Sequence, residues 1–492
     1  MKIQRFALVL FVALVLINHT ALAQIKFEAK TAGITEIERI KLAKTFDEYE
    51  VYTMDFQAFD TYVKSNKQQS IFTFEFGEEH DWEIEIEEND LRSPNYVAIR
   101  STENGRVLVP PGPCITYAGH VVGHPELQVR LNIEPNRTWG FIEGKAETYY
   151  IEPEQNFVKS AGSNKLVVYK ESSIKTENIG DCGAESHHKP IGKSIQDGGP
   201  KSSGADCRKL EISTESDYEL VEEGVSFSDI LGNLNLVEAN YENYFDMTFL
   251  VVFQHEWTTS SDPYSLFVSG CGGFGQLDEF EDEWADNWQQ VRQDINVLYT
   301  GKNYAGDIVG CANTGSFGDN VNNDFGAYCV NQWFLGLAFS PAAARRTLVA
   351  HEMGHIFGAQ HDDSNCGVFG AKNIMCASLW PSNTFLSPAI DEIEDGLTFE
   401  SNEANDGRSA IRQRYTGTVF PAVGFEIVSI DAEIHTANEW ILDQALWVQD
   451  NDGTTGTFRA TDYSLLKPGF YFNAQSDETL KIDIGDCDVD GP

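Results

Sequence analysis

The sequence predicts a multidomain α/β chain, with a central segment of alternating strands and helices between a β-rich segment and a small all-β one. Three observations carry that reading. A chain of 492 residues has room for roughly two to four domains. Apolar residues alternate at period two before about residue 190 and again after about 418, and take helical spacing between. The most patterned stretch lies in that middle part: His351-Glu352-Met353-Gly354-His355-Ile356-Phe357-Gly358-Ala359-Gln360-His361-Asp362.

Lys2 and Arg5 precede an apolar run from Phe6 to Ile17, followed by the small residues of Ala21-Leu22-Ala23. This is the pattern of a signal peptide over 1–23, with the mature chain starting at Gln24 and exported. The run is about a dozen residues, short of the roughly 20 that span a bilayer, so no stable membrane anchor is expected. Residues 24–191 read as one β-rich domain. Phe72, Phe74 and Phe76 alternate with polar residues, as do Trp82, Ile84 and Ile86, which predicts a hairpin with one apolar face. Residues 192–206 are rich in Gly, Ser, Lys and Asp and form an exposed linker, a natural place for a cut, without a dibasic or Arg-x-x-Arg site.

The segment 207–418 is the size of one domain. Leu210 to Tyr218 and Met247 to Phe253 read as strands, Ser228 to Phe245 and Leu277 to Ile295 as helices. Ile230, Leu234, Val237 and Tyr241 share one face of the first helix. Ser340-Pro341 supplies an N-cap and a first-turn proline for a helix running through Ala350 into the patterned stretch. Ser387-Pro388 starts another. Residues 419–492 return to short strands, among them Phe425 to Val428, Ala445 to Val448, Thr457 to Ala460 and Leu480 to Ile484.

On a helix, residues four apart lie nearly one above the other, so His351 and His355 can aim two ring nitrogens at one point. Glu352 sits about 100° round the helix, near enough to touch a water on a metal without ligating it, and is the candidate general base. Gly358 lets the chain leave the helix, and His361 can return as a third ligand. Three protein ligands with a fourth position open to water is the catalytic arrangement of zinc, which lowers the pKa of that water from about 15.7 to about 7. Asp181-Cys182-Gly183 raises a second idea: a Cys182 thiolate in the fourth position would displace the water. Cys182 could equally pair with Cys207 or Cys114. His187-His188 reads as a solvated pair in the linker.

His351 to His361 matches the long zinc motif of the metzincins, and Asp362 directly after the third His resembles the adamalysin/reprolysin branch. Asn373-Ile374-Met375 suits the Met-turn, with Met375 as a hydrophobic floor beneath the zinc. Reprolysins usually carry Cys where Asn373 stands, and here Cys376 follows the Met, so disulfide pairing does not carry over. The resemblance implies a metzincin catalytic domain, a twisted mixed sheet plus helices. In it, Leu298 to Lys302 and Gly310 to Ala312 form the upper rim of a cleft whose edge pairs with an extended peptide. Residues between Met375 and Phe385, including Leu379 and Trp380, would line the main side-chain pocket. Tyr149-Tyr150-Ile151-Glu152-Pro153 is similar to the ending of reprolysin-type propeptides, and prodomains of this type often use a Cys-Gly pair such as Cys182-Gly183 to keep the enzyme silent. The implied function is a secreted zinc endopeptidase acting on protein or peptide substrates and made as a latent precursor. The competing class is an adhesion or binding protein on the same scaffold with little turnover. Such relatives usually lose the Glu or a His, and none is missing here.

The formal net charge of −41 argues against nucleic acid and anionic membrane as partners, because either would be repelled. Acidity of this size favours solubility and makes Ca2+ a second candidate ion, although Asp483 to Asp490 lacks the spacing of a calcium loop. Nine cysteines in an exported chain imply disulfides with at least one thiol left over. Cys207, Cys271, Cys311, Cys329, Cys366 and Cys376 could form three bridges in the central segment, with Cys114, Cys182 and Cys487 outside it. Ser464 to Phe470 resembles a strand-turn unit of bacterial surface and secreted proteins, which points to cell-surface attachment through the C-terminal domain.

Overall fold

A computed structural model of the chain describes residues 25–66, 69–77, 80–175, 180–183, 208–264, 275–288, 291, 293–302, 308–317, 327–335, 338–339, 341–362, 366 and 372–403. Beyond these it describes the backbone strands 420–422, 425–430, 434–442, 446–450, 456–466, 471–472 and 480–484. The expected leader, the linker 192–206, His187, His188, Cys207, Cys271, Cys487 and most of the acidic ending lie outside the described residues.

Alternation of apolar residues before position 175 produces strands β1 (Lys26–Thr31), β2 (Glu50–Thr53), β3 (Ser70–Phe76), β4 (His80–Glu88), β5 (Arg92–Thr102), β6 (Gly105–Val109), β7 (Thr116–Val121), β8 (His124–Glu134), β9 (Arg137–Glu143), β10 (Thr148–Pro153) and β11 (Lys165–Lys170). All but β5 and β6 close into a barrel in the order β1-β2-β11-β10-β9-β8-β7-β4-β3. The hairpin expected from the phenylalanine alternation is β3–β4, with Phe72 opposite Ile84 and Phe74 opposite Trp82. Phe72, Phe74, Phe76, Ile84 and Ile86 are all buried. Helix α1 (Glu36–Thr45) starts with a Thr35–Glu38 capping box, and α2 (Phe56–Ser65) lays Phe56, Phe59 and Val63 onto the barrel core.

The hairpin β5–β6 departs from the sequence reading, which placed every strand before residue 190 in one separate unit. It leaves the barrel and extends a second sheet. That sheet takes β12 (Asp181–Cys182), β13 (Arg208–Ser216), β14 (Met247–Trp257), β15 (Ile295–Thr300), β16 (Ile308–Ala312) and β17 (Tyr328–Gln332) in the order β12-β16-β17-β15-β13-β14-β5-β6. The sheet is mixed: β16 runs antiparallel to β17 and β5 to β6, while the other neighbours are parallel. Helices α3 (Tyr218–Glu222), α4 (Phe227–Phe245), α5 (Gln276–Asn287), α6 (Ala342–Ile356) and α7 (Ser387–Glu403) complete the segment. Helix α5 stops at Asn287 rather than at the expected Ile295, because Ile295 opens the wholly buried strand β15. Ile230, Leu234, Val237 and Tyr241 of α4 share a core with β13, β14 and α6.

After residue 419 the described strands form two small sheets. One holds Phe420–Ala422, Phe425–Ile430, Leu446–Asp450 and Tyr471–Phe472; the other holds Ile434–Leu442, Gly456–Leu466 and Leu480–Ile484. Among the described residues, no helix is long and apolar enough to cross a membrane.

Candidate metal centre

Helix α6 carries the patterned residues, and all fifteen of its positions are buried. Its start is not the one expected. Pro341 occupies the N-cap position and contributes no side-chain hydrogen bond, and the helix begins at Ala342. The Ala342 N–H, which a cap would otherwise satisfy, donates to Glu152 Oε1 at 2.7 Å. The capping group therefore comes from β10, some 190 residues earlier.

Three histidine side chains and Cys182 converge at the other end of α6. His355 Nε2 lies 3.0 Å from His351 Nε2 and 3.0 Å from His361 Nε2. With Cys182 Sγ these atoms all fall within 4.8 Å of one another, a group that could hold a metal ion. The Nδ1–H of His351 donates to Ile374 O at 2.6 Å, and that of His355 to Ala359 O at 2.7 Å. Each Nε2 is thereby left as a bare lone pair. Burial holds the His351 pKa well below its usual value, helped by the neighbouring His355 and His361, and brings His355 down to about 3. Neutral rings with lone pairs facing one another at 3.0 Å repel unless a cation sits among them. Three imidazole nitrogens and a thiol are donors that zinc accepts.

Glycines explain how closely these groups pack. Gly358 has φ +102°, so the chain leaves α6 by the expected left-handed route. Met375 is wholly buried, and a Cβ at Gly354 would stand 2.7 Å from its sulfur, so the glycine inside the histidine string is what lets the Met-turn close beneath it. Asn373 occupies the position where the reprolysin pattern has Cys. Its Oδ1 accepts from the Met375 N–H at 2.9 Å and its Nδ2 donates to Asp362 Oδ2 at 3.4 Å, while Cys366 and Cys376 form a disulfide round the same turn. Asp362 N–H donates to Met375 O at 2.9 Å, tying the His361 loop to the Met-turn.

Glu352 is fully buried, and burial pushes its carboxyl up to about 8, with the Cys182 hydrogen bond pulling the other way. The Cys182 thiol lies 3.6 Å from Oε2, and Oε1 has no hydrogen-bond partner. Gly310 of β16 faces this carboxylate: a Cβ there would meet Oε1 at 2.4 Å.

Residues 180–183 run between the edge strand β16 and the wall at 377–379. Cys182 N–H donates to Ala377 O, Gly183 N–H to Gly310 O and Leu379 N–H to Gly180 O, each at 2.9 Å. Ser378 Oγ donates to Asp181 Oδ1 at 2.8 Å. Of the alternatives for Cys182, the structure has the thiol beside the three imidazoles, and Cys182 and Cys114 are not joined in a disulfide. Three expectations need correction. Leu298 to Thr300 belong to β15, an interior strand between β17 and β13, so of the two stretches expected at the rim, Gly310 to Ala312 in β16 is the one near the sheet edge. Three bridges among the six central cysteines do not form either: Cys311, Cys366 and Cys376 are disulfide-bonded, but Cys329 is a free thiol buried in the core it shares with Val349 and Ala350 of α6. Leu379 does not stand open either; it packs with Val309, Ala344 and Leu348.

Residues 215–384 match the profile of metallo-peptidase family M12 called Reprolysin_5. This segment resembles the reprolysin-like metallopeptidases. Among solved structures, the chain is similar to the crystal structure of metalloproteinase-II from Bacteroides fragilis, at 14% identity over 70% of this chain and 96% of that chain, with a TM-score of 0.40. The match to the reprolysin-like family takes in α6, β13 from Glu215 onward, β14 to β17 and the Met-turn, and therefore all three histidines.

Proposed function

We propose that the chain is a secreted zinc-dependent endopeptidase made as a latent precursor, with His351, His355 and His361 as the zinc ligands and Glu352 as the general base. One observation carries the proposal: three imidazole nitrogens converge beside a buried carboxylate whose Oε1 has no hydrogen-bond partner, in a segment that matches a metallopeptidase family. Zinc, when bound, supplies a Lewis acid that polarises a carbonyl and makes water acidic near neutral pH. Glu352 takes a proton from the attacking water and returns it to the departing amine. Its burial raises the carboxylate's affinity for a proton, which strengthens it as a base. The Nδ1–H bonds to Ile374 O and Ala359 O hold two ligand rings at fixed angles.

An extended substrate would pair with backbone groups that 180–183 now uses, among them Gly310 O, Ala377 O and Leu379 N–H. Occupation of those groups, with the Cys182 thiol at the ligand cluster, supports latency. On this reading 24–191 is the propeptide, the cut falls in 192–206, and 419–492 is an accessory domain, which attaches the protein to a cell surface and offers its acidic ending to Ca2+. Export follows from the leader pattern at 1–23.

The test is a comparison of Glu352→Ala with the parent protein, both activated by cleavage, on casein. Loss of roughly 10²- to 10⁴-fold in hydrolysis is expected for a general acid–base group. Equal rates would exclude the mechanism and favour a binding protein on the same scaffold.

A further inference from the structure

The barrel and the metallopeptidase segment are built as two halves of one core. Trp139, Phe141 and Tyr150 of the barrel share a buried cluster with Leu236 and Ala239 of α4 and Ala343 of α6. Helix α4 is shaped for this contact. Gly232, in mid-helix where glycine is unfavourable, leaves the space that the Trp139 ring fills: a Cβ there would stand 2.3 Å from that ring. Next to it Asn235 donates to Asn132 Oδ1 at 3.1 Å, and Asn89 of the barrel donates to Glu238 Oε2 at 2.6 Å.

Charge is matched across the same surface. Arg345 and Arg346, both buried in the helix that bears His351 and Glu352, are covered by the barrel: Arg345 lies 3.5 Å from Glu152, and Arg346 sits over Phe141 at 4.1 Å. At the far edge of the sheet β5 pairs with β14 from Val97 opposite Phe253 to Ser101 opposite Trp257. Ser101 Oγ lies 2.9 Å from Nε2 of the buried His255, whose Nδ1 is 3.2 Å from Glu215. Shared sheet, shared apolar cluster and desolvated polar pairs are the marks of an obligate interface. By contrast, 180–183 is held by a two-residue strand at the opposite edge.

We infer that a cut within residues 184–207 opens the cleft by letting 180–183 withdraw, while the barrel stays bound through α4, α6 and the β5–β6 hairpin as a lasting second half of the peptidase. The inference rests on the reading that 180–183 blocks the cleft. Retention leaves the cleft clear, since the hairpin docks at the other end of the sheet from β16.

The experiment places a recognition sequence for a specific protease between 184 and 207 of the full chain, cuts it, and runs the product on native size exclusion with a denaturing gel of each fraction. Both fragments are expected in one peak at the volume of the uncut protein, and the peak should hydrolyse casein in a chelator-sensitive way. Separation of the barrel from a C-terminal fragment that keeps full hydrolysis overturns the inference. Co-elution without hydrolysis in any form leaves retention standing and counts against the peptidase reading, so the two failures are distinct. Gly232→Ala sharpens the test, because alanine favours the helix but meets Trp139. The cut variant should release its barrel at least roughly tenfold faster than the parent; equal retention would show that the α4 surface is not what holds it.

Discussion

The two edges of the mixed sheet are used in opposite ways. At one edge two residues, Asp181 and Cys182, pair with β16 over the candidate metal centre. At the other, an eleven-residue strand, β5, pairs with β14 and brings its own partner β6. Both are strand additions by residues that precede the metallopeptidase segment. The short one carries a thiol among the imidazoles and is tied by a few backbone bonds, whereas the long one buries polar side chains against those of β14, such as Ser101 on His255. Edge pairing alone is weak and reversible; its permanence comes from what the added side chains bury. The difference teaches that a two-residue addition rests on backbone bonds while the long one is fixed by buried side chains, which is the basis of the proposed departure of the first and retention of the second.

The largest effects are expected at the short edge. Cys182→Ala in the uncut precursor should raise casein hydrolysis by about 10²-fold or more over the parent precursor, and continued silence would show that the backbone of 180–183 alone blocks the cleft. Gly310→Ala pushes a methyl into Glu352, so the activated protein should lose about 10²-fold in kcat, while its zinc content, read by metal analysis, stays stoichiometric.

Effects on the retained side are expected in stability. Glu152→Ala removes the acceptor for Ala342 N–H and leaves Arg345 buried without its carboxylate, which should cost about 3–5 kcal/mol in denaturant unfolding of the uncut chain. Ser101→Ala strips one partner from His255 and should cost about 1–3 kcal/mol by the same measurement. The smallest effect concerns pH. Glu283 of α5 faces Arg106 of the hairpin, and burial, with Glu215 next, pushes its carboxyl up to about 7 against the pull of His255 and Arg106. The native state then holds a proton that the unfolded chain releases near its ordinary value of 4.5, so stability should fall as pH rises between those values. Glu283→Gln should flatten that slope in a pH series of melting temperatures.

What could be read without a structure was whatever depends on neighbours along the chain. The offsets of His351, Glu352 and His355 are a helical geometry, Gly358 is a left-handed exit, and the β3–β4 alternation is a local hairpin; each is decided within about a dozen residues. Contacts across hundreds of residues left no such trace. Asn235 and Glu238 look like the solvated side of an amphipathic helix, yet they are buried, because the barrel covers the face that the sheet does not. The cap of α6 looked local, at Ser340-Pro341, and comes instead from Glu152. Gly232, Gly310 and Gly354 carry no periodic signal, since a glycine that makes room for a distant side chain has the same letter as one in a turn. Sequence by itself determined the donor set and its helix, because those rest on backbone geometry that short segments specify. Tertiary structure alone decided that Cys182 reaches that donor set, that β5 joins the sheet and that Glu152 caps the helix, because each depends on where a folded barrel sets its side chains in space.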